Sequence, residues 1–318
     1  MPLVQHNSTE QSSAAVVIPG DVQPGRRAAL RSFGKRAVLK ALVPVGACLG
    51  ARQTGSFGIL MYHRTTPRIE GAPEATWNVT PDRFRQQMEG LLARGYRPTS
   101  LRQAIADHRS RQPTTDKTFV VTFDDGYENN FVFARPILEE LRIPATIFVA
   151  TAYLDGDRAF PSDDWALAGS SRVPSNCWRP LATDQCHEML SGGLIDIGTH
   201  THTHDDFRGR PEELQADLET SLATLASRFG LQDATFAFPY GTPRLGFCSP
   251  PMTRAARKAG VLCSLTTESR FVTPGCDRFG WGRLTAEQSD TAGMLAAKLD
   301  GWYSLARDAW KSMRGHSQ

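Results

Sequence analysis

From residue 57 onward the chain alternates between short apolar stretches and helical patterns, and this rhythm restricts the fold more than any other feature. Candidate strands cover 57–63 (FGILMYH), 118–124 (TFVVTFD), 145–151 (ATIFVAT), 194–200 (LIDIGTH), 234–239 (ATFAFP), 261–267 (VLCSLTT) and about 278–285. They are short, bounded by turn residues, and rich in Val, Ile, Phe and Thr. Helical periodicity covers 81–94, 128–141, 183–191, 211–229, 250–259 and 289–309. Thr80 before Pro81 reads as a cap and first turn, and Gly230 and Gly260 read as stops. Strand and helix alternating over about seven units predict an α/β fold with a parallel sheet, closed as a barrel or open and doubly wound. No internal repeat is visible. The loop at 152–180, with Gly156, Pro161, Gly169 and Pro174, is long enough to expect a functional role.

The 318 residues, 40% apolar and 22% charged, describe an ordinary globular protein with ample core, and one α/β barrel domain accounts for most of the length. The net charge of +3 is unevenly spread. Residues 1–57 hold seven Lys/Arg against Glu10 and Asp21, a balance of +5, which leaves −2 for the rest. Six scattered cysteines without a CxxC pair suggest free thiols in a reducing compartment rather than a zinc ribbon or a disulfide framework. No apolar run reaches 18 residues, and the polar first 25 residues lack the basic start of a secretory signal, so a cytoplasmic location is expected.

Residues 1–25 read as a disordered tail, 26–56 as a basic amphipathic helix with a linker, and 57–318 as a catalytic domain. In RRAALRSFGKRAVLKALV (26–43), Leu30, Phe33, Ala37, Val38, Ala41 and Leu42 recur at helical spacing. Arg27, Arg31, Lys35, Arg36 and Lys40 fall mostly on another face, and Pro44 ends the pattern. Such a helix suits peripheral contact with an anionic membrane, or packing against its own domain. Nucleic acid is not expected, because the interleaved aromatics of a stacking platform are missing.

In folds of this class, chemistry gathers where strands end. The strand ends here carry His63, then Asp124 and Asp125, then His200, His202 and His204 in GTHTHTHDD, then Tyr240 in FPYG. Two adjacent carboxylates at the end of a buried strand repel each other and need a counter-charge. A divalent cation held by carboxylate and imidazole supplies one. Two imidazoles and one carboxylate complete a three-donor catalytic site, so His202 is expected to play a structural part.

TFDDG (122–126), HTHTH (200–204) and FAFPYG (236–241), in this order, resemble the polysaccharide deacetylases, carbohydrate esterase family four with the NodB-homology fold. ILMYHRT (59–65), a Pro-led helix and GYRPTSL (95–101) resemble the permuted branch that acts on poly-N-acetylglucosamine-type exopolysaccharides. The resemblance covers about residues 57–285 and implies an incomplete (β/α) barrel of about seven parallel strands. It further implies a metal-dependent hydrolase, with Zn2+ as the expected ion, that removes N-acetyl groups from a saccharide. Asp125, His200 and His204 would bind the metal, and Asp124 would be the general base. His63 would protonate the departing amine, and the backbone N–H of Tyr240 would stabilise the oxyanion.

Two positions depart from the family pattern. Where many relatives carry an arginine that orients the base, this chain has Ala237, and Arg283 in FGWGRL is the expected substitute. The carboxylate that tunes the acid histidine is not evident, with Asp163, Asp164 and Asp277 as candidates. Trp165 and Trp281, together with Tyr240, are expected to bind substrate, because flat aromatic faces suit pyranose rings. Alternatives are a hydrolase of another C–N bond on the same fold, or a degenerate sugar-binding module. A two-metal hydrolase barrel would need more histidines than His6, His108, His187 and His316 supply.

Overall fold

The computed structural model describes residues 54–110, 117–161, 163–167 and 172–301. The chain divides into two units, Met1–Leu42 and Val43–Gln318. The expected tail and basic helix therefore lie outside the described residues, as do Cys48 and everything after residue 301.

Among the described residues nine strands make one sheet: β1 (Gly58–Tyr62), β2 (Arg97–Pro98), β3 (Thr118–Phe123), β4 (Ala145–Val149), β5 (Ile195–Thr199), β6 (Phe236–Ala237), β7 (Ser264–Leu265), β8 (Phe279–Trp281) and β9 (Leu284–Thr285). Their order is β8-β7-β6-β5-β4-β3-β1-β9, with β2 beside β3. The pairings are parallel throughout. β8 and β9 are successive pieces of one stretch, so residues 279–285 pair with β7 through one piece and with β1 through the other. The sheet thus curls into the expected incomplete (β/α) barrel. The expected strand at 278–285 is split into β8 and β9 at Gly282 and Arg283, where the chain passes from β7 to β1, and Gly282 runs close against its neighbours. A Cβ there would lie 2.5 Å from the Glu268 carbonyl oxygen.

The strands read as unbroken apolar runs because both of their faces are buried. Leu60, Tyr62, Val121, Phe123, Ile147 and Val149 form one large cluster with Phe84, Met88 and Leu91 of helix α1 (Pro81–Leu92). Ile59, Val120, Phe148, Ala237, Leu265 and Trp281 fill the opposite face, against Leu101 and Ile105 of α2 (Leu101–Arg109). Arg102 of α2 reaches Asp196 near the start of β5 (2.7 Å), so α2 covers the end where strands begin and leaves the other end open.

The remaining helices are α3 (Arg135–Glu140), α4 (Asp164–Leu167), α5 (Thr183–Ser191), α6 (Pro211–Phe229), α7 (Pro250–Ala259) and α8 (Ala292–Leu299). The predicted helix at 128–141 forms from residue 128, with a π-helical turn, Asn130–Ala134, inside it ahead of α3. Pro136 has no N–H to donate back into that turn, which loosens the ladder there. α8 starts where Thr291 caps the Met294 N–H (3.2 Å).

Candidate active site

At the open end of the barrel, β3 runs out into Asp124, still in ladder register through its N–H to the Tyr62 carbonyl (3.0 Å). The next residue, Asp125, turns left-handed at φ 71°, and Gly126 follows at 75°. A Cβ at Gly126 would lie 2.8 Å from a Val149 methyl, so only glycine lets the chain pass β4 there. This twist sends the two carboxylates to different partners, which resolves the repulsion between neighbours. Both oxygens of Asp124 accept from the Arg283 guanidinium, at 2.6 and 2.7 Å, and Arg283 Nε donates to the Thr266 carbonyl (3.1 Å). Arg283 and Asp124 are both buried. Burial pushes the Asp124 carboxyl up, but Arg283, with His200 and His63, overcomes this and holds it below its ordinary value.

Asp125 faces His200 and His204. One carboxylate oxygen lies 3.4 Å from His200 Nε2 and 3.3 Å from His204 Nε2. The three donor atoms lie within 4.8 Å of one another. A tetrahedral site with bonds of about 2.0–2.1 Å has edges of about 3.3–3.4 Å, so this donor set fits a zinc-sized ion. His200 Nδ1 meets the Ala237 carbonyl at 2.7 Å, which fixes the ring so that Nε2 offers a lone pair to the site. Burial opposes charge on Asp125, yet the His200 and His204 contacts hold its carboxyl well below the usual range. His202 points elsewhere: its Nδ1 meets Thr151 Oγ1 (2.9 Å), and its backbone N–H donates to Asp217 of α6. Asp217 also accepts from the Thr203 hydroxyl (2.6 Å), so α6 pins the histidine loop.

His63, past the end of β1, has Nε2 3.9 Å from Asp124, and its side chain is 16% exposed. Burial lowers its pKa, against the opposing pull of Asp125 and Asp124. Tyr240 sits at φ 60°, with its ring 5.3 Å from His204 and 5.0 Å from Phe247. Burial, then Asp125, pushes its hydroxyl to about 12. Asp125, Thr201, His204 and Tyr240 all hold left-handed backbone without being glycine, a strain that gathers around this one end of the barrel.

Other expected site residues lie elsewhere. Trp165 is buried, packed with Ala75, Val173 and Cys177, and its Nε1–H donates to the Pro73 carbonyl (2.8 Å). Trp281 is buried against Phe57 (ring centroids 5.5 Å apart) and His108 (5.1 Å). Neither indole therefore offers a face to a sugar, which corrects the expectation for both. Asp163 pairs with buried Arg64 (2.5 Å), Asp164 accepts from the Thr76 N–H, and Asp277 pairs with Arg257 on the surface (2.7 Å). The carboxylates that act on His63 are Asp125 and Asp124 themselves. The sequence reading missed Trp77, whose indole stacks on His63 (centroids 5.5 Å apart, planes at 21°) and is 54% exposed. Its place in a Gly- and Pro-containing loop before α1 is the only hint the sequence offers.

Residues 111–263 match the profile of a family described as polysaccharide deacetylase. The poly-β-1,6-N-acetyl-D-glucosamine N-deacetylase of Escherichia coli K12 is 28% identical over 132 residues, 42% of this chain but only 19% of that protein's length. The protein of the same description from Staphylococcus epidermidis is 23% identical over 262 residues, 76% of this chain and 83% of its own length. The solved structure of IcaB from Ammonifex degensii superposes with a TM-score of 0.64 at 24% identity, covering 78% of this chain and 97% of that one. Through residues 111–263, a little under half of its length, the chain is similar to the polysaccharide deacetylase family.

Proposed function

We propose that the chain is a metal-dependent hydrolase that removes N-acetyl groups from an N-acetylated glycan or glycoconjugate, with Zn2+ as its ion. The observation that carries this reading is the division of labour between two successive carboxylates. One is locked on a buried arginine, and the other lies 3.4 and 3.3 Å from two imidazole nitrogens. Asp125, His200 and His204 would hold the ion, which when bound supplies a Lewis acid for the acetamide carbonyl and makes water acidic near neutrality.

Asp124 is then the base. Arg283 fixes both of its oxygens and keeps it ionised, ready to take a proton from the attacking water. His63, beside Asp124, hands a proton to the departing nitrogen, which stays on the sugar as an amine while acetate leaves. The Tyr240 N–H, aimed by its left-handed backbone, donates to the oxyanion of the tetrahedral intermediate. The test is acetate release from a panel of N-acetylated oligosaccharides, with Asp124→Asn as control. Release by the wild type and loss in Asp124→Asn are expected, whereas equal release by both proteins would overturn the role of the base.

The same proposal extends to location. The described cysteines Cys177, Cys186, Cys248, Cys263 and Cys276 are free thiols, which suits a reducing cytoplasm. Residues 26–43 would hold the enzyme peripherally on the anionic inner face of the membrane. Among the described residues no helix is long and apolar enough to cross one.

A further inference from the structure

Trp77 and Leu245 are the large apolar side chains that stand exposed among the described residues. Trp77 is held there against two costs. Its indole keeps more than half its surface in water, and its backbone sits at φ 58°, a region that large L-residues avoid. The neighbouring chain enforces the pose. The Arg64 N–H donates to the Trp77 carbonyl (3.4 Å), the Val79 N–H to the Arg64 carbonyl (3.1 Å), and Asn78 ties Thr66 through two bonds (2.9 and 3.1 Å). Arg64 is itself buried, bonded to Asp163 and to the Tyr127 hydroxyl (2.8 Å), so the loop is anchored on the barrel.

One face of the indole lies on His63. Solvent therefore reaches the other face and the edge. If His63 protonates the departing nitrogen, and that nitrogen remains on the sugar, then Trp77, packed on His63, stands within reach of the sugar units around the scissile bond. A rigid, exposed indole there matches the apolar C–H face of a pyranose, and it needs no charge to do so.

We propose that Trp77 is a specificity-determining residue: its free face stacks on the sugar unit next to the one being deacetylated, so that the enzyme favours oligomers over monomers. This rests on the deacetylase reading. The test uses N-acetylglucosamine and its oligomers of two to five units. Wild-type kcat/KM should rise with length. In Trp77→Ala the loss should grow with length, reaching about tenfold in KM on the pentamer with kcat within about twofold, and Trp77→Phe should restore most of it. Length dependence kept intact in Trp77→Ala overturns the proposal, and so does an equal fall in kcat at every length, which would mean that the indole serves only His63.

Calorimetric titration of the pentamer into wild type and Trp77→Ala separates the two readings. Pentamer binding that weakens in Trp77→Ala without any acetate release by wild type leaves the stacking face standing and removes the deacetylase reading. Acetate release with equal pentamer affinity in both proteins does the opposite.

Discussion

A carboxylate in a barrel core is tolerable only when something holds its charge, and Asp124 and Asp125 solve this separately. Because Asp124 depends on two parallel bonds from one guanidinium, a lysine at 283 would keep the charge and lose the fork. Arg283→Lys is expected to lower kcat by about 10²-fold, the scale of a misplaced catalytic group, with a smaller rise in KM and metal content retained. Unchanged steady-state kinetics would leave Asp124 without its proposed support. The metal assignment is separable by elemental analysis of purified variants. His204→Ala should lose the ion and the activity, while His202→Ala, whose ring is engaged with Thr151, should keep the ion. Equal metal in wild type and His204→Ala would sink the donor set. That Asp124, Asp125 and the histidines of 200–204 meet at one end of the barrel was legible from strand-end position, whereas Arg283 came from the resemblance, as a substitute for the arginine missing at Ala237. The tryptophans were not legible. An indole suits a core and a sugar platform equally, so residue type alone could not distinguish buried Trp165 and Trp281 from exposed Trp77.

Elements here owe their positions to burial on both faces, which is why β1, β3, β4 and β5 could be read from apolar runs almost to the residue. Short pieces escaped. β2 is two residues long, and α2 is only nine. The π turn before α3 depends on the local backbone around Pro136, which a hydrophobic pattern does not record. Gly198 in β5 shows how tightly neighbouring strands constrain one another. A Cβ there would lie 2.6 Å from the Phe148 ring and 2.8 Å from Thr235 Oγ1. Gly198→Ala is therefore expected to destabilise by about 1–3 kcal/mol, read as a lower thermal midpoint with the β4–β5 pair strained. A midpoint equal to wild type would mean that Phe148 can swing aside at no cost.

At the scale of the whole chain the charge is divided, with +5 in residues 1–57 and −2 in the remainder. A remainder with a net charge of −2 is on balance repelled by an anionic surface, so any net attraction must come from the N-terminal segment. Each basic residue near such a surface contributes on the order of 1 kcal/mol, and the apolar positions of 26–43 add burial in the interface. Together they would hold the enzyme reversibly, beside lipid-linked or nascent glycans. Co-sedimentation with anionic vesicles should then occur at low salt, weaken at high salt, and vanish on removal of residues 1–50, while acetate release from soluble oligomers persists. The competing account packs the same segment on the barrel, and there the shortened protein would aggregate or lose its thermal transition. That outcome would replace membrane docking with a structural role, because a segment needed for folding cannot also spend its apolar face on lipid.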